Sequence, residues 1–151
     1  MDAGRICGVL GRGLFAGLIG TVAMTVSSTV EEKVRGREPS TAPADAAAVV
    51  LGIGEFSSDS AKARFGNAVH WTYGTSWGVV RALLGELLPP AAAGGAHFAV
   101  VWGSEQAMLP ALGVAPPLTE WGATEVAIDA FHHVVYAAAA SVSYELLAPR
   151  A

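Results

Sequence analysis

Four apolar stretches run through this chain, each close to the length of a membrane-crossing helix, and one polar segment separates the first from the other three. The first covers about 8–30 and has no charged residue after Arg12. The second covers about 65–88 and ends at Pro89-Pro90. The third covers about 92–112 and is stopped by Pro116-Pro117, and the fourth covers about 121–147. A helix needs about 20 residues to cross about 30 Å of hydrocarbon, which these stretches approach or exceed. They do not alternate as barrel strands do, and a helix satisfies its own backbone hydrogen bonds in lipid. The pattern therefore predicts an all-α fold, an integral membrane bundle of four transmembrane helices forming a single domain over 1–151.

The polar segment, 31–64, is too long for a simple turn. Its part from Gly36 to Asp45 has the proline and capping chemistry of a loop, and 46–53 reads as a short helix. Too short to span, that helix is expected at the interface or as a re-entrant element. Arg5 and Arg12 followed by the apolar run from Leu14 to Met24 resemble the start of a signal peptide. The apolar run continues to Val30 with no clear small-x-small site, so an uncleaved first helix is expected. Small residues recur at helical spacing: Gly13, Gly17 and Gly20 in the first stretch, and Gly74, Gly78, Ala82 and Gly85 in the second. Such stripes let backbones approach closely, which serves packing within the bundle first and a homodimer through the same faces as the alternative.

Composition sharpens the choice of solvent. Apolar residues make up 52% and charged residues 15%, well below the roughly 25% of soluble domains. Half of the charged residues lie within 31–64, so the remainder of the chain is depleted further. The net charge is −4 and no basic face is visible, which excludes a nucleic-acid partner and leaves the lipid bilayer as the expected one. The lone Cys7 excludes an internal disulfide and a cysteine metal cage. Lys33, Arg35, Arg37, Lys62 and Arg64 outnumber Arg5, Arg12, Arg81 and Arg150 on the opposite side, favouring a cytoplasmic long loop and both termini outside.

Against this apolar background the ionisable residues are the candidate chemistry, because charge in a bilayer is costly and tends to be functional. Glu125, Asp129, His132 and His133 recur at i, i+4, i+7 and i+8 in the fourth stretch. At 1.5 Å per residue, His70 lies roughly 8 Å, Glu105 roughly 10 Å and Asp129 roughly 12 Å from the long-loop side. Glu31 and Glu32 close the first stretch on that side and are further contributors. Adjacent histidines diverge by about 100°, so both need not face one cavity; Asp129 with His132 is placed at the centre of the cluster and His133 is a less central member of it. Arg81 and Glu86 are expected to snorkel to headgroups, and His97 to sit at the interface. Tyr144 and Glu145 receive no role. Trp77 and Trp102 are expected to pack inside the bundle, and Trp71 and Trp121 to line the interface.

Three motifs together resemble the YagU-like bacterial inner-membrane proteins, a family of unknown function. They are His70-Trp71-x-Tyr73-Gly74, Leu109-Pro110-Ala111-Leu112-Gly113-x-x-Pro116-Pro117, and Glu125-x-x-x-Asp129-x-x-His132-His133-x-x-Tyr136. The loop Gly36-Arg37-Glu38-Pro39-Ser40 is similar to the hydrophilic segment of shorter members. The resemblance implies a multi-pass helical bundle in the inner membrane and no established activity.

The residues leave three functions open. One is a proton- or ion-linked carrier or membrane stress protein, since Asp, Glu and His are the material of intramembrane relays. Another is a structural or accessory subunit whose polar groups lock helices together. The third is a metal- or cofactor-binding membrane enzyme subunit, for which Asp129-x-x-His132 has the spacing but no second carboxylate-x-x-His pair exists. No catalytic residue is assigned and no cofactor is expected, a metal ion being the exception that the third function would require.

Overall fold

The computed structural model describes residues 2–148, and Arg150 of the orientation argument lies outside them. Every long element among the described residues is helical. The helices are α1 (Ala3–Arg35), α2 (Ala42–Leu51), α3 (Asp59–Leu87), α4 (Pro90–Ala111) and α5 (Ala123–Leu147), with a single 3-10 turn, Leu118–Glu120, ahead of α5.

Helix ends follow local chemistry more than hydropathy. α1 continues past its apolar stretch through Glu31, Glu32 and Lys33 and stops at Gly36, whose φ of 64° closes the helix with an N–H bond to the Glu32 carbonyl. α3 begins at Asp59, six residues ahead of the apolar run, because the Ser58 hydroxyl caps the Ala61 N–H at 3.2 Å. Pro90 opens α4, where its missing N–H costs nothing. α2 starts at Ala42, earlier than expected, with Pro43 in its first turn.

α1 and α5 are long and apolar enough to cross a membrane. α3 and α4 have the length, 29 and 22 residues, but not the same apolarity. α1 packs along α3 and α5, α4 leans on α5 and α3, and α2 lies against α3.

The α1–α3 contact is made backbone to backbone. A Cβ on Gly13 would stand 2.7 Å from the Gly78 carbonyl oxygen, and a Cβ on Gly17 or Gly78 would strike the facing backbone. Gly20 accommodates the Tyr136 ring and Gly74 accommodates Thr21. The glycine stripes are thus filled within the chain. The interior is built of small and apolar residues such as Ala16, Ala82, Val101 and Leu109, joined by Thr21, Arg81, His97, His132 and His133, while large apolar side chains including Phe15, Val26, Val30, Phe131 and Val142 are exposed.

Two expectations about ring and guanidinium placement are corrected. Arg81 does not reach outward. It is fully buried, donates to Glu145 Oε1 at 2.5 Å and Ser141 Oγ at 3.0 Å, and lies over the Tyr144 ring at 4.9 Å. Tyr144 and Glu145, given no role from the sequence, are therefore its partners, and Gly85 leaves the space it occupies. His97 is likewise fully buried, with Nε2 3.1 Å from the Trp77 carbonyl and its ring 5.6 Å from that of Tyr136. Arg81 is held by the α3–α5 contact and His97 by the α3–α4 and α4–α5 contacts, which one-dimensional depth counting does not include. Glu86 stays at the helix end and pairs with Arg5 at 2.7 Å.

Candidate cation site

Two helices converge on one cluster. α4 presents Trp102, Glu105 and Gln106, and α5 presents Asp129 and His133, one turn apart on the same face. His133 Nε2 lies 2.7 Å from Glu105 Oε2, and His133 Nδ1 lies 2.9 Å from the Asp129 carbonyl oxygen and 3.6 Å from Asp129 Oδ1. Asp129 Oδ2 accepts from the Trp102 indole N–H at 2.7 Å and from the Gln106 amide at 3.2 Å. Trp102 is itself fixed by stacking on Phe98, with ring centroids 5.6 Å apart.

These contacts assign the tautomer of His133. A backbone carbonyl only accepts, so Nδ1 carries a ring hydrogen, and in the neutral imidazole Nε2 presents a lone pair. Glu105 Oε2, buried, then has no hydrogen-bond donor among the described residues. Two lone pairs held at 2.7 Å repel unless a proton or a cation bridges them. One ligand atom each from Glu105, Asp129 and His133 falls within 4.8 Å of the others, which is the arrangement that could hold a metal ion.

The remaining sequence candidates go elsewhere. His132 was placed with Asp129, but it turns about 100° away, toward α1. Its Nδ1 is 2.8 Å from Ser27 Oγ, and its Nε2 is 3.7 Å from Glu31. Because the Ser27 hydroxyl donates to the Met24 carbonyl, the His132 ring is the donor in that pair. Glu31 is bound by Arg35 at 3.0 Å and by Arg37, while Glu32 lies 3.8 Å from Arg37. Glu125 belongs to this second group, bridged to Arg35 at 2.6 Å, and is more than half exposed. His70 forms a third, separate link, 2.8 Å from Thr25 Oγ1 of α1. The six candidates and two contributors thus divide into an α4–α5 cluster, an α1–α5 ion network and an α1–α3 hydrogen bond.

Outside the helices that carry the cluster, the hydrogen bond from Arg37 to Glu31 holds the guanidinium above its ordinary range. Asp45 in α2 is held below the usual carboxylate value, first by the Thr41 hydroxyl and then by Lys62 at 3.0 Å. Both interactions tie the polar segment to its neighbours.

The sequence reading missed Trp102 as a site residue. The available signal was spacing: Trp102, Glu105 and Gln106 occupy i, i+3 and i+4, so one helix face carries all three. No family model matches this chain, and no curated protein or solved structure matches it either.

Proposed function

We propose that this chain is a small multi-pass protein of the inner membrane, a four-helix bundle in which Glu105, Asp129 and His133 bind a cation as part of an ion-linked carrier or membrane stress function. α1, α3, α4 and α5 are the four spans, and α2 lies at the interface. The many large apolar side chains on the outside, with histidines and an arginine among the buried residues, support a lipid surround. The resemblance to the YagU-like proteins accords with this architecture and supplies no activity.

The observation that carries the reading is the His133–Glu105 contact. A neutral imidazole lone pair aimed at a carboxylate is stable only with a positive charge between them. Intramembrane carboxylate–histidine pairs of this kind serve cation passage. Four helices are few for alternating access, so the working carrier would be an assembly of copies. Its contact face is not the glycine stripe, which is filled within the chain.

Reconstitution into liposomes tests the proposal. Flux of protons and of divalent cations should depend on Asp129 and Glu105 and fall in Asp129→Asn and Glu105→Gln. Equal flux in wild type and variants removes the carrier reading. A second reading, an accessory subunit locked by buried polar groups, is favoured by the bonds from Trp102 and Gln106 to Asp129, which join α4 to α5. On that reading Asp129→Asn lowers stability or assembly and leaves flux at the background of empty vesicles.

A further inference from the structure

Resting on the cation-binding reading, we infer that the ion taken by Glu105, Asp129 and His133 is a first-row divalent transition cation of the Zn2+ class, bound at the α4–α5 seam. Donor chemistry argues first. One imidazole nitrogen with two carboxylate oxygens suits zinc, iron or manganese, whereas magnesium and calcium take oxygen and water. An ion with bonds of about 2.0–2.2 Å holds its ligand atoms roughly 3–3.5 Å apart. The three atoms, now within 4.8 Å of one another, share it once His133 and Glu105, at 2.7 Å, part slightly and Asp129 draws in.

Charge argues second. Two carboxylates and a neutral imidazole carry two negative charges, and one divalent ion neutralises them in a site where net charge is costly. His133 is 8% exposed, so its Nε2 is aimed into the cluster and away from solvent.

The outer partners argue third, and independently of the ligand atoms. A metal-binding histidine characteristically donates its other ring N–H to a carbonyl or carboxylate, which fixes its tautomer, and binding carboxylates are themselves hydrogen-bonded. His133 Nδ1–H meets the Asp129 carbonyl at 2.9 Å. Asp129 Oδ2 is taken by Trp102 and Gln106, leaving Oδ1 as the oxygen nearer the His133 ring, 3.6 Å from Nδ1. Three protein ligands leave a coordination position open, as an exchangeable ion requires.

The test uses the full chain in lipid nanodiscs, titrated with Zn2+ against a chromophoric chelator and, separately, with Co2+ followed by visible absorption. The expected result is saturable binding of about one ion per chain, with a visible Co2+ band from a low-coordinate nitrogen–oxygen site. Asp129→Asn and His133→Ala should abolish it, and His132→Ala, whose ring faces α1, should retain it. Trp102→Phe keeps all three ligands and should weaken binding about tenfold or more through the freed carboxylate. That variant keeps the test decisive should a ligand variant fail to fold. Absence of saturable Zn2+ binding in the wild type, equal binding by the Asp129→Asn protein, an unchanged affinity in Trp102→Phe, or equal competition by Mg2+ would each overturn the inference. Proton flux that depends on Asp129 without Zn2+ binding would remove the metal and keep the cation reading. Loss of both flux and binding would remove both.

Discussion

His133 Nε2 sits 2.7 Å from Glu105 Oε2, and this contact fastens α5 to α4 at the point where Asp129 is also held by α4. The pair is neither on the surface nor isolated, with side-chain exposures of 9% and 21%. Removing one partner leaves the other without its counterpart beside the Asp129 carboxylate. Glu105→Leu and His133→Leu should each destabilise the bundle by about 1–3 kcal/mol, and the double variant should cost less than the sum. A thermal or denaturant double-mutant cycle in detergent measures this, and strict additivity would show that the two side chains do not interact.

The α1–α3 seam allows no side chain at Gly17 or Gly78. Gly78→Ala should lower stability by about 1–3 kcal/mol or prevent assembly of the bundle, since its Cβ would meet α1 backbone that cannot yield. Gly95→Ala, with nothing near its Cβ, should be neutral or stabilising by up to about 1 kcal/mol. Comparing the two midpoints checks the seam, and equal effects would contradict it.

Arg81 and Glu145 should respond asymmetrically. The guanidinium is fully buried, whereas the Glu145 side chain is 39% exposed. Glu145→Ala leaves a buried cation without its carboxylate and should be strongly destabilising, about 3 kcal/mol. Arg81→Met keeps most of the volume and releases a carboxylate that can be solvated, so it should cost less. The opposite order in unfolding experiments would place the charge elsewhere.

The polar segment carries a pH-dependent link. Asp45 has a carboxyl held below its ordinary value of 3.8 by Thr41 and Lys62, so folding favours its ionised form. Its contribution is complete above that value and is lost as the pH falls through the lower folded value. The α2–α3 contact should therefore loosen only at strongly acidic pH, and Asp45→Asn should remove that part of the dependence. Proteolytic sensitivity of the 36–58 region measured across the acid range decides it. A loss already complete above the ordinary value would have the wrong sign for this carboxylate.

The proposed four-span arrangement would put the segment before α3 and the turn before α5 on one side of the membrane. In a Cys7→Ser background, cysteines at Ser57 and Thr119 should label from the same side, the cytoplasmic one by the Lys/Arg count. A cysteine at Asp2 should label from the other side. Opposite labelling of the Ser57 and Thr119 positions would break the four-span arrangement.

Helical content, the four long segments and the short helix in the polar loop were legible in the sequence, because length, proline punctuation and lack of alternation are local properties. The residues of the candidate site were legible as a set, because ionisable groups stand out in an apolar chain. Their partners were not. Asp129 pairs with His133 and not His132 because α4 lies on one side of α5 and α1 on another, and a 100° step between neighbours sends the two rings to different helices. Arg81 and His97 were assigned outward by depth, yet both are buried because Gly85, Tyr144 and the Trp77 carbonyl make room and partners for them. The sequence by itself thus determined which segments are helical and where charge enters an apolar chain. Only helix packing decided which charges meet, because that depends on the rotation of each helix about its axis, set by backbone contacts such as Gly17 against Gly78.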